Sequence, residues 1–264
     1  MQVFAEQKKL GPIGCDVRSF VSIDSTNTYL KREAMAGAPD GTVAVAEVQT
    51  AGRGRMDRTF QSPEGKGLYL SVLLRPALPP ERLLPVTALA GVAVCNAVER
   101  VCGIRPGMKW PNDPVLGKKK LGGILTELVT DPVQGLAVVL GIGLNVLHGC
   151  EDFSPEVAEL ATSLWMEQGK VTDKTKLLEV LLEELNRMYA ALKADDLEAY
   201  LAAYRRDCVN IGRRVRLVTE EDSETVMAVD VDSDFALVIR RADGRLESVR
   251  SGEVSVRGLY GYME

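Results

Sequence analysis

The sequence predicts an α+β fold in two parts, and three features point to it. From Val17 to about residue 210, apolar runs of strand period alternate with runs of helix period. From Arg213 onward, short strands follow one another with turn residues between them. The 264 residues are 46% hydrophobic, enough for one substantial core carrying a small appendage.

Taken in order, Val17–Ile23 reads as a strand. Ser25 caps a helix running to about Ala36, with Gly37 as its stop. Thr42–Val48 is a strand rich in β-branched residues. In Leu68–Leu74, the side chains of Leu68, Leu70, Val72 and Leu74 share one face. After Pro79-Pro80 comes a nearly all-apolar helix, Glu81–Cys102, expected to be buried. Lys120–Val129 and Gly135–Val146 are two further strands. The second is apolar on both faces, which places it centrally. Asp173–Leu192 is an amphipathic helix with Leu177, Leu181, Leu185, Met188 and Leu192 along one stripe. Asp195 is expected to cap another helix, with Glu198 in a capping-box position. The strands Val215–Val218, Thr225–Val231, Ala236–Arg240, Leu246–Val249 and Glu253–Arg257 then form a small barrel or sandwich of about fifty residues.

A net charge of −5 argues against a broad nucleic-acid surface, although a local basic patch lies at Arg53–Arg58. Five scattered cysteines without a CxxC pair read as reduced thiols, mostly core filler. Met1–Leu10 has no apolar signal core, and the longest apolar run, Val86–Ala97, is broken by Asn96 and too short for a bilayer. A soluble, cytoplasmic protein with no membrane partner is the expectation.

Gln49–Lys66 has neither period, and a long irregular loop in a compact domain is usually functional. Gly52 and Gly54 give it backbone freedom. Arg53, Arg55 and Arg58 supply forked donors for carboxylate and phosphate oxygens. Such a loop can close over an acid–phosphate anhydride; a solvated basic loop accounts for the composition equally well. It is not a P-loop. In Lys109-Trp110-Pro111-Asn112-Asp113, Asn112 and Asp113 can present oxygens to hydrated Mg²⁺ or bond a nucleotide. Lys109 and Lys120 can sit by a triphosphate or a carboxylate under attack. The commoner reading of the first segment is a surface turn with a half-buried Trp, and of Lys118–Lys120 a solvated charge run. Against that, Lys120 leads into Leu121-Gly122-Gly123-Ile124-Leu125, where glycines permit close approach by a ligand or another backbone.

Ser25-Thr26-Asn27 is either an N-cap cluster or a donor–acceptor set for a rigid cyclic urea, which Gln49 could complete. In Gly141-Ile142-Gly143-Leu144-Asn145, a buried Asn145 needs partners that a nucleotide could provide. His148, the only histidine, reads as a surface loop residue, so no Ser-His-Asp arrangement can be built.

The order and spacing of these segments (Ser25–Asn27, Gln49–Arg55, Lys109–Asp113, Lys120–Leu125, Gly141–Asn145, with Ala161–Leu164 behind them) resemble the biotin–protein ligase family, strongly over about Phe20–Leu164 and more loosely beyond. The resemblance implies a mixed sheet backed by helices in a class II synthetase-like catalytic domain, residues 1–210, and an SH3-like C-terminal β-barrel, residues 211–264. It implies that the chain activates biotin with ATP and Mg²⁺ as biotinyl-AMP. The biotinyl group then passes to a lysine on the biotin carrier domain of acetyl-CoA carboxylase or a related carboxylase.

By that resemblance, Lys120 and Arg53 are catalytic. Ser25, Thr26, Asn27 and Gln49 hold the ureido ring. Arg53, Gly54, Arg55 and Lys120 hold the valeryl carboxylate and the adenylate phosphate. Arg55, Arg58, Phe60, Lys109, Trp110, Asn112 and Asn145 position ATP, and Asp113 holds Mg²⁺. The family loop usually reads GRGRxGRxW; here Met56-Asp57 replaces the x-Gly pair and Phe60 the Trp. Val231–Asp234 lacks a glycine often found in that turn. About sixteen residues precede the first strand, which is too few for a DNA-binding module, so the short form without DNA binding is expected. The sequence leaves a lipoate ligase as a rival and leaves room for a homodimer.

Overall fold

The computed structural model describes residues 11–56, 58–131, 134–218, 223–250 and 255–257. The first unit is built on a five-stranded sheet of β1 (Val17–Ile23), β2 (Val43–Gln49), β3 (Gly67–Leu74), β7 (Gly122–Asp131) and β8 (Gly135–Asn145), in the order β1-β2-β3-β8-β7. β1 and β2 pair in parallel and all other neighbours are antiparallel, so the sheet is mixed. β8 lies inside the sheet, as its two apolar faces require. β3 is buried along its whole length, where the sequence indicated a single apolar face.

Helix α1 (Thr26–Met35) covers one face, burying Leu30 and Ala34 against Ala44, Leu73, Ala137 and Val139. Ser25 caps it by accepting a hydrogen bond from the Thr28 amide, and Gly37 turns the chain away at φ +84°. The opposite face packs on α2 (Val86–Cys102) and α5 (Lys174–Ala194). The apolar stretch Pro80–Cys102 has the length and composition of a membrane span, yet two thirds of its most apolar window is buried. It is also not one helix. Pro80–Leu83 forms a 3₁₀ turn, and α2 starts only at Val86. Pro85 sets that start, because a proline lacks the N–H needed inside a helix but fits the position before its first turn.

A second difference falls at Asp195. It does not cap the next helix; it ends α5 in the left-handed conformation at φ 61°. Aspartate is one of the few residues that tolerates that region. α6 (Glu198–Asp207) begins after Leu197 without a side-chain cap. Two short helices, α3 (Pro155–Ala158) and α4 (Leu164–Gln168), follow β8.

A three-stranded ribbon not foreseen from the sequence, β4 (Gly107–Lys109), β5 (Asp113–Leu116) and β6 (Lys119–Lys120), carries the Lys-Trp-Pro-Asn-Asp segment. The C-terminal unit is a five-stranded antiparallel sheet of β9 (Arg214–Val218), β10 (Ser223–Val231), β11 (Leu237–Arg240), β12 (Leu246–Val249) and β13 (Ser255–Arg257), ordered β12-β11-β10-β9-β13. Among the described residues its edge strands β12 and β13 do not pair with each other, so the expected barrel is observed as a sheet. The glycine-free turn after β10 is closed by Asp232, whose Oδ1 accepts from the amides of Asp234 and Ala236. Phe235 takes the left-handed position at φ 61°.

Candidate active site

A cavity of about 600 Å³ opens over the sheet between α1, the Gln49–Lys66 loop and the small ribbon. Ser25, Thr26, Asn27, Gln49, Arg53, Gly54, Arg55, Arg58, Phe60, Lys109, Trp110, Asn112, Asp113 and Lys120 all line it. Met56, Leu70, Ile124, Ile142, Leu160 and, from the C-terminal sheet, Val256 are further wall residues that the sequence did not single out. Asn145 is not among the lining residues. It is buried in β8, and its Nδ2 donates to the Thr162 carbonyl at 3.0 Å. Asp57 lies outside the described residues.

Under the cavity a chain of hydroxyls and amides runs from its lining residues Thr26, Asn27 and Gln49 to the buried Ser62 and Ser71. The Thr26 amide donates to Gln49 Oε1 at 2.9 Å, and Gln49 Nε2 donates to Ser62 Oγ at 3.1 Å. Thr26 Oγ1 lies 3.1 Å from Gln49 Oε1. Ser71 Oγ lies 2.7 Å from Thr26 Oγ1 and 2.5 Å from Asn27 Oδ1. Amide oxygens only accept and each hydroxyl carries one proton. These three contacts therefore share the two protons of Thr26 and Ser71, and the oxygens keep lone pairs to spare. Asn27 Oδ1 takes a proton from Ser71, and its second lone pair can accept an N–H from a bound molecule.

Asn27 Nδ2 donates to Glu127 Oε2 at 2.9 Å and to the Leu125 carbonyl at 3.4 Å, so both ends of its amide engage the protein. Glu127 also pairs with Lys31 at 2.7 Å and lies 3.6 Å from Arg53. Burial alone would raise the Glu127 pKa. The hydrogen bonds from Lys31 and Asn27 outweigh it and hold the carboxyl below its usual range. Ser71 and Glu127 were missed from sequence. Their signal was one serine in the run Leu68–Leu74 and one acid within the expected strand Lys120–Val129.

The loop over the cavity is more ordered than its composition suggests. Gln49 and Ser62 join its ends, Arg53 and Thr59 form an antiparallel bridge, and the Gly54 amide donates to the Arg58 carbonyl at 2.7 Å. Met56, at the tip, is exposed and has φ 54°. The glycines of the adjoining strands are used by the protein itself. A Cβ on Gly141 would stand 2.1 Å from Asn27 Oδ1, and one on Gly143 would stand 2.6 Å from the Phe60 ring. They admit those two side chains to the sheet surface.

The cationic wall converges on the ribbon. Arg55 donates to Asn112 Oδ1 at 3.3 Å, and burial pulls its guanidinium below the usual value, opposed by the charge of Asp113. Asn112 is fixed by its Nδ2 donating to the Ile124 carbonyl at 2.8 Å. Lys109 and Asp113 face each other across β4 and β5. Lys120 is far from a solvated charge run. Its amide donates to the Leu160 carbonyl and its carbonyl accepts from the Thr162 amide. Its Nζ lies 2.7 Å from Asp113 Oδ1.

Trp110 contributes to the wall, yet its side chain is only 2% exposed and its indole N–H donates to the Phe235 carbonyl. His148 is corrected outright: it is fully buried, stacked on Phe153 at 5.0 Å, with Nε2 3.2 Å from the Tyr69 hydroxyl. Burial pushes its pKa down to about 4. Tyr69 in turn meets Phe60 edge-on. No group of three or more His, Cys, Asp or Glu side chains suited to a metal ion occurs among the described residues.

A hydroxyl–amide floor adjoins a wall of arginines and lysines on this mixed sheet, a donor set suited to carboxylate and phosphate oxygens. In agreement, residues 19–145 match the Biotin/lipoate A/B protein ligase family and residues 211–257 the Biotin protein ligase C terminal domain. The Biotin--[acetyl-CoA-carboxylase] ligase of Mycobacterium tuberculosis is 35% identical over 237 residues, 87% of this chain and 85% of that one. The Bifunctional ligase/repressor BirA of Bacillus spizizenii is 32% identical over 234 residues, 89% of this chain and 72% of the relative. The biotin protein ligase of Aquifex aeolicus, solved in complex with biotin and ATP, superposes with a TM-score of 0.82 at 30% identity, covering 92% of this chain and 99% of that one. The chain belongs to the biotin protein ligase family.

Proposed function

We propose that this chain couples biotin to ATP as biotinyl-AMP and passes the biotinyl group to a lysine on the biotin carrier domain of a carboxylase. The observation that carries the proposal is the pairing, in one cavity of about 600 Å³, of a floor of acceptor oxygens with a wall of cationic side chains. A cyclic urea supplies N–H groups for those acceptors. The side chains of Thr26, Gln49 and Asn27, with Ser25 beside them, are the groups assigned to it.

A carboxylate is a poor acyl donor, and phosphate activation gives it a leaving group. As a biotin carboxylate oxygen attacks the α-phosphorus of ATP, one P–O bond forms and the bond to pyrophosphate breaks. Negative charge gathers on the phosphoryl oxygens, and preorganised cations stabilise it more than a base would. Lys120 and Arg53 are assigned to that charge. Arg55 and Gly54 are assigned to the carboxylate and phosphate, and Arg58, Phe60, Lys109, Trp110 and Asn112 to the nucleotide. Asn145 supports that site from behind through Thr162. In the second step the carrier amine attacks the acyl carbon and AMP leaves.

A magnesium ion brought in on the triphosphate fits this donor set, since Mg²⁺ commonly uses one or two protein oxygens and takes the rest from phosphate and water. Asp113 and Asn112 are the oxygens that would hold it, and it would neutralise phosphate charge. The reading extends to two domains, 1–210 and 211–264, the second of SH3-like type, and to a cytoplasmic location, which five unpaired cysteines support. A lipoate ligase is the second reading, and the shared Biotin/lipoate family match keeps it in view. The floor favours biotin, because a dithiolane ring brings no N–H. Pyrophosphate release with MgATP tests the choice: it should follow addition of biotin and not of lipoate, and the reverse pattern would overturn it.

A further inference from the structure

We infer that Glu127 is a positioning residue for the cyclic-urea site: its carboxylate fixes the orientation of the Asn27 amide and thereby keeps the floor an acceptor of ligand N–H groups. The inference deepens the biotin reading above and rests on it.

A carboxylate accepts hydrogen bonds and donates none. Glu127 Oε2, 2.9 Å from Asn27, therefore requires the NH₂ end of that amide, and the Leu125 carbonyl at 3.4 Å makes the same demand. Asn27 Oδ1 is left facing Ser71 Oγ, which is fully buried and 2.5 Å away. The Ser71 proton is drawn to Asn27, and the single Thr26 proton must serve either Ser71 or Gln49 Oε1. The second lone pair of Asn27 Oδ1 stays open to a ligand N–H. With the amide reversed, Asn27 would donate to Ser71, Ser71 to Thr26 and Thr26 to Gln49. Asn27 would then present N–H groups where its carbonyl oxygen now lies, and the floor would lose that acceptor for a urea N–H. Glu127 sets this register without lining the cavity. Lys31, itself on α1, pairs with the other carboxylate oxygen, Oε1, so the contact of Oε2 with Asn27 does not run through that ion pair.

The test is the isosteric Glu127→Gln variant, which can present its own NH₂ group to Asn27 and permit the reversal. Lys31→Met serves as the control that removes the ion pair and leaves the Glu127–Asn27 contact. Biotin affinity is read by titration calorimetry, and biotin KM and kcat by pyrophosphate release. The expected result is a rise in biotin Kd and KM on the order of tenfold in Glu127→Gln, the scale of one hydrogen bond. Its kcat and thermal midpoint should stay near wild type, and Lys31→Met should retain wild-type affinity. Glu127→Asp, which still only accepts, should bind biotin more tightly than Glu127→Gln. Equal affinity in wild type and Glu127→Gln overturns the inference, as does an equal loss in Lys31→Met. If the wild-type chain itself takes up no biotin, the failure lies with the biotin reading and not with Glu127.

Discussion

The indole N–H of Trp110 donates to the backbone carbonyl of Phe235 at 3.0 Å, binding the ribbon beside the cavity to the C-terminal sheet. Asn210 Oδ1 accepts from the Trp110 amide at 2.7 Å, and the Tyr204 hydroxyl donates to the Pro111 carbonyl. Phe235 holds a left-handed backbone that a side chain this large rarely adopts. Its ring meets Tyr204 edge-on, which helps to fix it there. Trp110→Phe leaves a buried carbonyl unpaired and opens space, so it should destabilise the fold by about 1–3 kcal/mol. Urea unfolding monitored by tyrosine fluorescence checks this, and an unchanged midpoint would contradict it.

Lys120 should matter to adenylation far more than to folding. It is held by main-chain bonds on both sides and pairs with Asp113 at a partly exposed position, where an ion pair adds little stability. Lys120→Ala is expected to cost about 3–4 kcal/mol of transition-state stabilisation, on the order of a hundred- to a thousandfold in kcat. A near-normal rate of biotinyl-AMP synthesis would take Lys120 off the catalytic list.

Gly141 offers a steric test of the floor. A methyl group there would meet Asn27 Oδ1 at 2.1 Å, and Asn27 would have to leave Ser71. Gly141→Ala is expected to raise the biotin KM by at least about tenfold while the far-UV circular dichroism stays that of the native fold. Wild-type KM in a folded Gly141→Ala protein would show that Asn27 has no part in the site.

His148 supplies the pH dependence. Its folded pKa of about 4 lies below the usual imidazole value. On acidification the unfolded chain therefore binds this proton first. Stability is full above about pH 6.5, falls as pH drops toward 4 and levels off below it, a change of ~3 kcal/mol from this residue. As the only histidine, it should give one imidazole NMR resonance that stays neutral from about pH 5 upward. A midpoint near the unperturbed value would contradict its burial.

Much of the sheet was legible because β1, α1, β8 and the strands from Arg214 obey simple periods and end in recognisable turn residues. The failures share a physical cause: long-range partners that no local pattern encodes. His148 looked like a surface loop residue because it follows the end of β8, but Tyr69 and Phe153 enclose it. Trp110 looked like a half-buried residue of a surface turn, but Phe235, far along the chain, takes its N–H and the side chain is buried. The motif residues of the cavity were found from sequence, whereas Ser71 and Glu127, which orient them, were hidden in strands that otherwise read as core.

The most direct test of the central claim is mass spectrometry of a carboxylase carrier domain incubated with this chain, biotin and MgATP. Acyl-adenylate chemistry in this cavity predicts a gain of one biotinyl group at a single lysine, dependent on both biotin and ATP. A carrier that keeps its original mass, with every component present and the chain folded, would contradict it.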